Sequence, residues 1–200
     1  MPSNLRRISE MLHDREICHK VDVENGFVAT KLPTKKYANK SRKHAIQIIV
    51  KVEEQGEFIR FIAPNVYTNS KSEHDMAIFK TCMHATRDDH LIQCCFNEST
   101  GEVYIQVEVF LGESSLSERQ LIKSLLGIVD VVNIYDDAFQ SAINTGTFIY
   151  SQIYSDRVKL ATLAKKLFEV SSENLDQILK QLEYDKAPTS SQGQHLPSLN

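Results

Sequence analysis

Cys94 and Cys95 lie side by side in the stretch from Asp88 to Phe110, close to His90 and a pair of acids. Thiols, imidazole and carboxylates together are the raw material of a metal or redox centre, so their spacing decides. Cys18, Cys82, Cys94 and Cys95 contain no C-x-x-C pair and no two-plus-two zinc pattern. The neighbouring cysteines belong to "HLIQCCF", which the turn "NESTG" joins to "EVYIQVEVFL". In that second arm Val103, Ile105, Val107, Val109 and Leu111 alternate strictly, the period of a strand. The cysteine arm is its partner across the turn. Adjacent strand residues point to opposite faces, so Cys94 and Cys95 cannot meet one metal without breaking the strand. All four cysteines read as free thiols packing as small hydrophobes.

The remaining candidates for chemistry fail on geometry. His74 and Cys82 are eight residues apart on an expected helix, a rise of about 12 Å, and His84 projects elsewhere. Zinc ligands lie about 2.0–2.3 Å from the ion, so this trio cannot share one. His90 with Asp88 and Asp89 reads as a turn cluster, and Glu53, Glu54 and Glu57 ring a hairpin turn where solvated charges belong. Phosphate-cradling glycine loops, H-E-x-x-H and G-x-S-x-G are all missing. No catalytic residue, cofactor or metal is expected, and the chain does not read as an enzyme.

Two features suit binding instead. Residues 31–43, "KLPTKKYANKSRK", hold Lys31, Lys35, Lys36, Lys40, Arg42 and Lys43 without an acid. A basic connecting loop with Tyr37 embedded could steer an acidic protein surface, or meet nucleic acid. No RNP or C₂H₂ signature supports the latter. The second feature is apolar: Ile49, Tyr104 and Phe110 fall on strand faces that should be wet, since an antiparallel sheet with one solvated face normally alternates more cleanly. Burying each would contribute about 1.5–3 kcal/mol. Either helices near the C-terminus cover them, or a second copy or a client does.

The elements that would position these residues follow from periodicity. Leu5, Ile8 and Leu12 mark a short amphipathic helix over 4–15, and "VDVENGFVATKL" allows an irregular strand around Asn25-Gly26. "KHAIQIIVKVEEQGEFIRFIAP" is a hairpin turning at Gln55-Gly56, with Pro64 expected to stop strand pairing. Ser72 and Asp75 resemble a capping box for a helix whose Met76, Phe79 and Met83 share one face, followed by a polar turn over 86–90. Ser115 and Glu118 form a second box. It opens a helix carrying Leu121, Leu125, Ile128, Val132, Tyr135, Phe139 and Ile143 on one stripe. That helix is roughly 28 residues long, twice the usual length, with a break conceivable at Gly127 and a stop at Gly146. Two shorter amphipathic helices are expected between 157 and 185, the second with Leu175, Ile178, Leu179 and Leu182. A polar, disordered tail follows over 186–200.

Composition is ordinary for a globular chain of 200 residues: 42% hydrophobic, 24% charged and a net charge of −3, too small to dictate a partner. No run of about 18 apolar residues occurs, and no signal peptide or lipidation motif is visible, so a cytoplasmic protein is expected.

With "FIAPNVY" before the middle helix and "GEVYIQVEVFLGESSLSERQLIKSLL" after it, the chain resembles the YbjN group, which looks related to bacterial type III secretion chaperones. The resemblance covers residues 4 to 145, most specifically 57 to 143. It implies a compact α+β domain, often dimeric, that binds other proteins and is not known for catalysis; it transfers no site residue. The expected fold is therefore α+β: an antiparallel sheet of two hairpins packed by helices, as in type III secretion chaperones. Residues 1–146 form that domain, with a helical extension over 147–185. The expected function is a non-enzymatic, chaperone-like or regulatory protein-interaction module, with Lys35, Lys36, Tyr37, Lys40, Arg42, Lys43, Ile49, Tyr104 and Phe110 as contact residues. The alternative is a nucleic-acid-associated regulator using residues 31–43.

Overall fold

The computed structural model describes residues 3–53, 56–70, 72–88, 91–112 and 114–149. The helices expected between 157 and 185, the tail, and Glu54, Gln55, Asp89 and His90 lie outside the described residues.

Helix α1 spans Ser3–Asp14, and strands β1 and β2 follow at His19–Asp22 and Phe27–Pro33. Strands β3 and β4 are Ala45–Glu53 and Phe58–Thr68; α2 is Asp75–Asp88, entered through a 3₁₀ turn at Ser72–His74. Strands β5 and β6 are Gln93–Asn97 and Glu102–Phe110, and α3 is Glu118–Thr145. The fold is α+β, with one antiparallel sheet of six strands in the order β1-β2-β3-β4-β6-β5.

The sheet thus holds three hairpins where the sequence suggested two. The extra one is β1–β2, closed by Asp22, whose carboxylate accepts from the Asn25 N–H at 2.9 Å, and by Gly26 at φ 71°. Its alternation is hidden because β2 buries Val28, Thr30 and Leu32, and a buried threonine reads as polar. Thr30 is satisfied there by donating to the Cys18 carbonyl at 2.8 Å.

The β5–β6 hairpin forms in the expected register, with Cys94 opposite Ile105 and Cys95 opposite Tyr104. Cys94 is buried, Cys95 lies half-buried on the other face, and all four cysteines are free thiols. The turn closes on Asn97, whose side chain accepts from the Ser99 N–H and hydroxyl. Gly101 is required twice over. Its φ is 68°, and a Cβ there would stand 2.1 Å from the Asn69 carbonyl oxygen.

Pro64 ends pairing with β3 but does not end β4. The strand bulges between Ala63 and Tyr67, with Asn65 at φ 50°, and continues along β6 to Thr68. A bulge accommodates a residue that cannot donate to the ladder.

The helices pack on one face of the sheet: α1 against β1 and β2, α3 against β4 and β6, α2 against β5 and α3. Leu5, Ile8 and Leu12 of α1 enter the core with Ile48, Ile59, Phe61 and Ile105 from the strands. The α3 stripe is buried as the spacing predicts, from Leu121 to Phe139, with Ile143 partly so. Its cap differs from expectation: Ser117 is the N-cap, and Gln120 completes the box by accepting from the Ser117 N–H at 2.9 Å. The helix runs unbroken for 28 residues, and Gly146 at φ 65° ends it. Gly127 causes no kink, because a Cβ there would come 3.0 Å from Ile92 Cδ1 and the bare backbone is used for packing.

On helix α2 Met76, Phe79 and Met83 share a face as the spacing predicts, and that face is turned to solvent, 64%, 47% and 56% exposed. The buried face is Ala77, Ile78, Thr81, Cys82 and Ala85. Small side chains let this helix approach β5 and α3 closely. The polar turn expected over 86–90 is, up to Asp88, the helix's last turn, where Thr86 accepts from the Cys94 N–H at 2.9 Å.

Candidate protein-interaction surface

Residues 34–44, the link between β2 and β3, form an ordered strap. Thr34 donates to the Tyr37 carbonyl at 2.6 Å, and His44 Nδ1 lies 3.1 Å from the same oxygen. Asn39 organises the far bend: its side chain accepts from the Ser41 and Lys43 N–H groups and donates to the Ala45 carbonyl. The strap is also fastened to α3. Asn133 Oδ1 accepts from the N–H groups of Lys35 and Lys36 at 2.7 and 3.0 Å, and Lys36 Nζ reaches Asp137 at 2.8 Å.

Tyr37 is the anchor of the strap and not a contact residue. It is 4% exposed, and its hydroxyl donates to the Val66 carbonyl at 3.0 Å. Its ring meets Tyr67 edge-on at 5.5 Å, and Tyr67 stacks on Phe139 at 4.5 Å. Burial, helped by the Asp136 charge, pushes the Tyr37 phenol up to about 12. Tyr67 donates to Asp136 at 2.9 Å, and its phenol is raised well above the usual range, again chiefly by burial. Desolvation likewise raises the Asp136 carboxyl, against the opposing hydrogen bonds from Tyr67 and Gln140. With Tyr37 inside, Lys31, Lys35, Lys40, Arg42 and Lys43 stay exposed around the strap.

Ile49, Tyr104 and Phe110 fall on the face of the sheet opposite α1, α2 and α3. Ile49 pairs with Ile62 on β4, which in turn faces Gln106 on β6. Tyr104 and Phe110 lie to either side of that row, about 20 Å apart along the strand. Phe110 is 67% exposed and contacts Phe58, ring centroids 5.0 Å apart. Between the apolar groups runs a ladder of charge: Arg60 reaches Glu53 at 3.2 Å and Glu108 at 2.9 Å, and Lys51 reaches Glu53 at 3.3 Å. The Cys95 thiol, by hydrogen bonding, and then partial burial raise the Tyr104 phenol.

Phe27, Phe58 and Ile62 belong to the same face and were not singled out from sequence. The signal was available in Phe58-Ile59-Arg60-Phe61-Ile62, where both alternating sets contain large apolar residues.

Two of the described histidines hold structural contacts. His19 bridges Ser9 at 2.7 Å and the Ile17 carbonyl at 2.8 Å, and His74 lies 2.6 Å from the Ile143 carbonyl at the end of α3. Among the described residues no three His, Cys, Asp or Glu side chains gather as a metal set. Burial, with the nearby Cys95 adding to it, pushes the Cys82 thiol up to about 12, far from thiolate chemistry at neutral pH.

No family model matches this chain, and no curated protein matches it significantly. Among solved structures it is similar to the crystal structure of YbjN from E. coli. The TM-score is 0.48 at 9% identity, over 68% of this chain and 94% of that one. The likeness is of fold only. Among the described residues no helix is long and apolar enough to cross a membrane.

Proposed function

We propose that this chain is a non-enzymatic protein-interaction module, chaperone-like or regulatory, whose contact surface is the sheet face away from the helices. One observation carries the reading: Phe110, 67% exposed, caps a row of partly buried apolar residues with no described helix over them. Apolar contact would supply affinity, and Ile49, Tyr104 and Phe110 would be its centre. The exposed Lys35, Lys40, Arg42 and Lys43 would steer an acidic partner toward it, an effect on encounter rate more than on affinity. In this reading residues 1–146 are the binding domain and 147–185 a helical extension.

A photocrosslinking side chain placed at Phe110 or Ile49, in the native cytoplasm and after nuclease, tests the reading. One discrete protein adduct, abolished by a charged residue at Tyr104, is expected. Capture only of solvent at both positions would sink it. The exposed cations favour a second reading, a nucleic-acid-associated regulator. That version requires adducts lost with nuclease and an affinity falling steeply with salt, whereas apolar contact largely survives salt.

A further inference from the structure

Helix α3 carries a second stripe, turned away from the core stripe, that faces an open cavity of about 600 Å³. Ile122 and Leu126 form one wall, Leu91 the other, and Ile92 and Val107 the floor. In the floor, Ile92 and Val107 are each 2% exposed and packed into the core. Gly127 brings it close: with no side chain there, Ile92 lies directly against the helix backbone. The lips stay apolar and open, with Leu126 and Leu91 about half exposed.

Charge is distributed unevenly along this groove. Arg119 and Lys123 stand exposed at the end nearer the start of α3, and neither has a hydrogen bond or ion pair with a described residue. Arg15, beside them, is neutralised by Glu118. Asp130 closes the other end. An apolar floor selects an apolar body, two exposed cations with no partner among the described residues select an anionic head, and Asp130 repels an anion bound in the reverse direction. The volume falls in the range of small-molecule sites.

We infer that this groove binds a small amphipathic anion, an alkyl or acyl chain along Ile92, Val107, Ile122 and Leu126 with a carboxylate or phosphate head at Arg119 and Lys123. The site lies on the helix-bearing side of the sheet, so it stands or falls independently of the open-face reading.

Methyl NMR of the full chain, titrated below micelle formation with decanoate, decyl phosphate, decan-1-ol, decylammonium and inorganic phosphate, tests this. Decanoate or decyl phosphate should shift the Ile92, Ile122 and Leu126 methyls saturably. The tighter of the two identifies the head. Either should bind roughly tenfold more tightly than the alcohol or the ammonium, as expected for a charge-assisted contact. Inorganic phosphate should leave these methyls unmoved. Arg119→Ala with Lys123→Ala should abolish the preference for the anion, and Leu126→Asp should abolish binding with the spectrum otherwise intact; all three positions are exposed, so the fold survives. The proposal is overturned if neither anion shifts these methyls, if decan-1-ol binds as tightly, or if the double variant binds unchanged.

Discussion

Tyr37 sits where the strap, the β4 bulge and α3 meet, and its hydroxyl ties the strap to the bulge. Tyr37→Phe removes the donor to the buried Val66 carbonyl and keeps the ring. A loss of about 1–2 kcal/mol is expected, read as a lower urea midpoint at unchanged slope. The same residue gives a pH prediction. Its folded value is raised to about 12 from 10.0, so it ionises more readily in the unfolded chain. Below the unfolded value both states are protonated and pH has no effect through this group. Between the two values stability falls as pH rises. The wild-type chain should therefore lose stability above about pH 10 more steeply than Tyr37→Phe, measured by denaturant titration at a series of alkaline pH values. At this scale the sequence was a poor guide. Tyrosine amid six cations looks like a contact residue, and only the bulge carbonyl beneath it makes it an anchor.

At the scale of elements, a helical period does not by itself say which side is buried. Helix α2 has two stripes, one of Met76, Phe79 and Met83, the other of Ala77, Ile78, Thr81, Cys82 and Ala85. Hydrophobicity favours the first, while close packing against β5 and α3 needs the second. Ile78→Ala should cost about 2–5 kcal/mol, whereas Phe79→Gln should stay within about 0.5 kcal/mol; paired thermal melts of the two variants separate the faces. The strap offers a second test. Asn133→Ala leaves the Lys35 and Lys36 N–H groups without their α3 acceptor. Hydrogen exchange at those two amides should accelerate while the core strands keep their protection. Gly101→Ala should destabilise the β5–β6 hairpin by more than about 1 kcal/mol, because it meets both a positive φ and the Asn69 carbonyl. Equal melting of Gly101→Ala and wild type would show that the turn relaxes around a side chain.

At the scale of the whole molecule, the sheet has a helix-bearing face and one that no described helix covers, and the two should respond differently to charge. Phe110→Asp lies on the open face, where water already reaches the ring. It should leave stability within about 0.5 kcal/mol of wild type and remove the crosslinked adduct described above. A large loss of stability would instead mark Phe110 as a packing residue. If the exposed cations of the strap steer an acidic partner as proposed, the rate of encounter should fall as ionic strength rises.

The sequence by itself determined the α+β class, the antiparallel pairing of the Cys94-Cys95 strand, the length and buried stripe of α3, and its glycine stop. All of these are local: they follow from period, turn chemistry and caps, which a few neighbouring residues decide. The tertiary structure alone decided which stripe of α2 is buried, where Tyr37 points, that β1 and β2 join the sheet, and that a groove opens beside α3. Each depends on residues distant in the chain, such as Val66 for Tyr37 and Ile92 for Gly127. Close packing is a relation between elements, and no single segment encodes the shape of the one it meets.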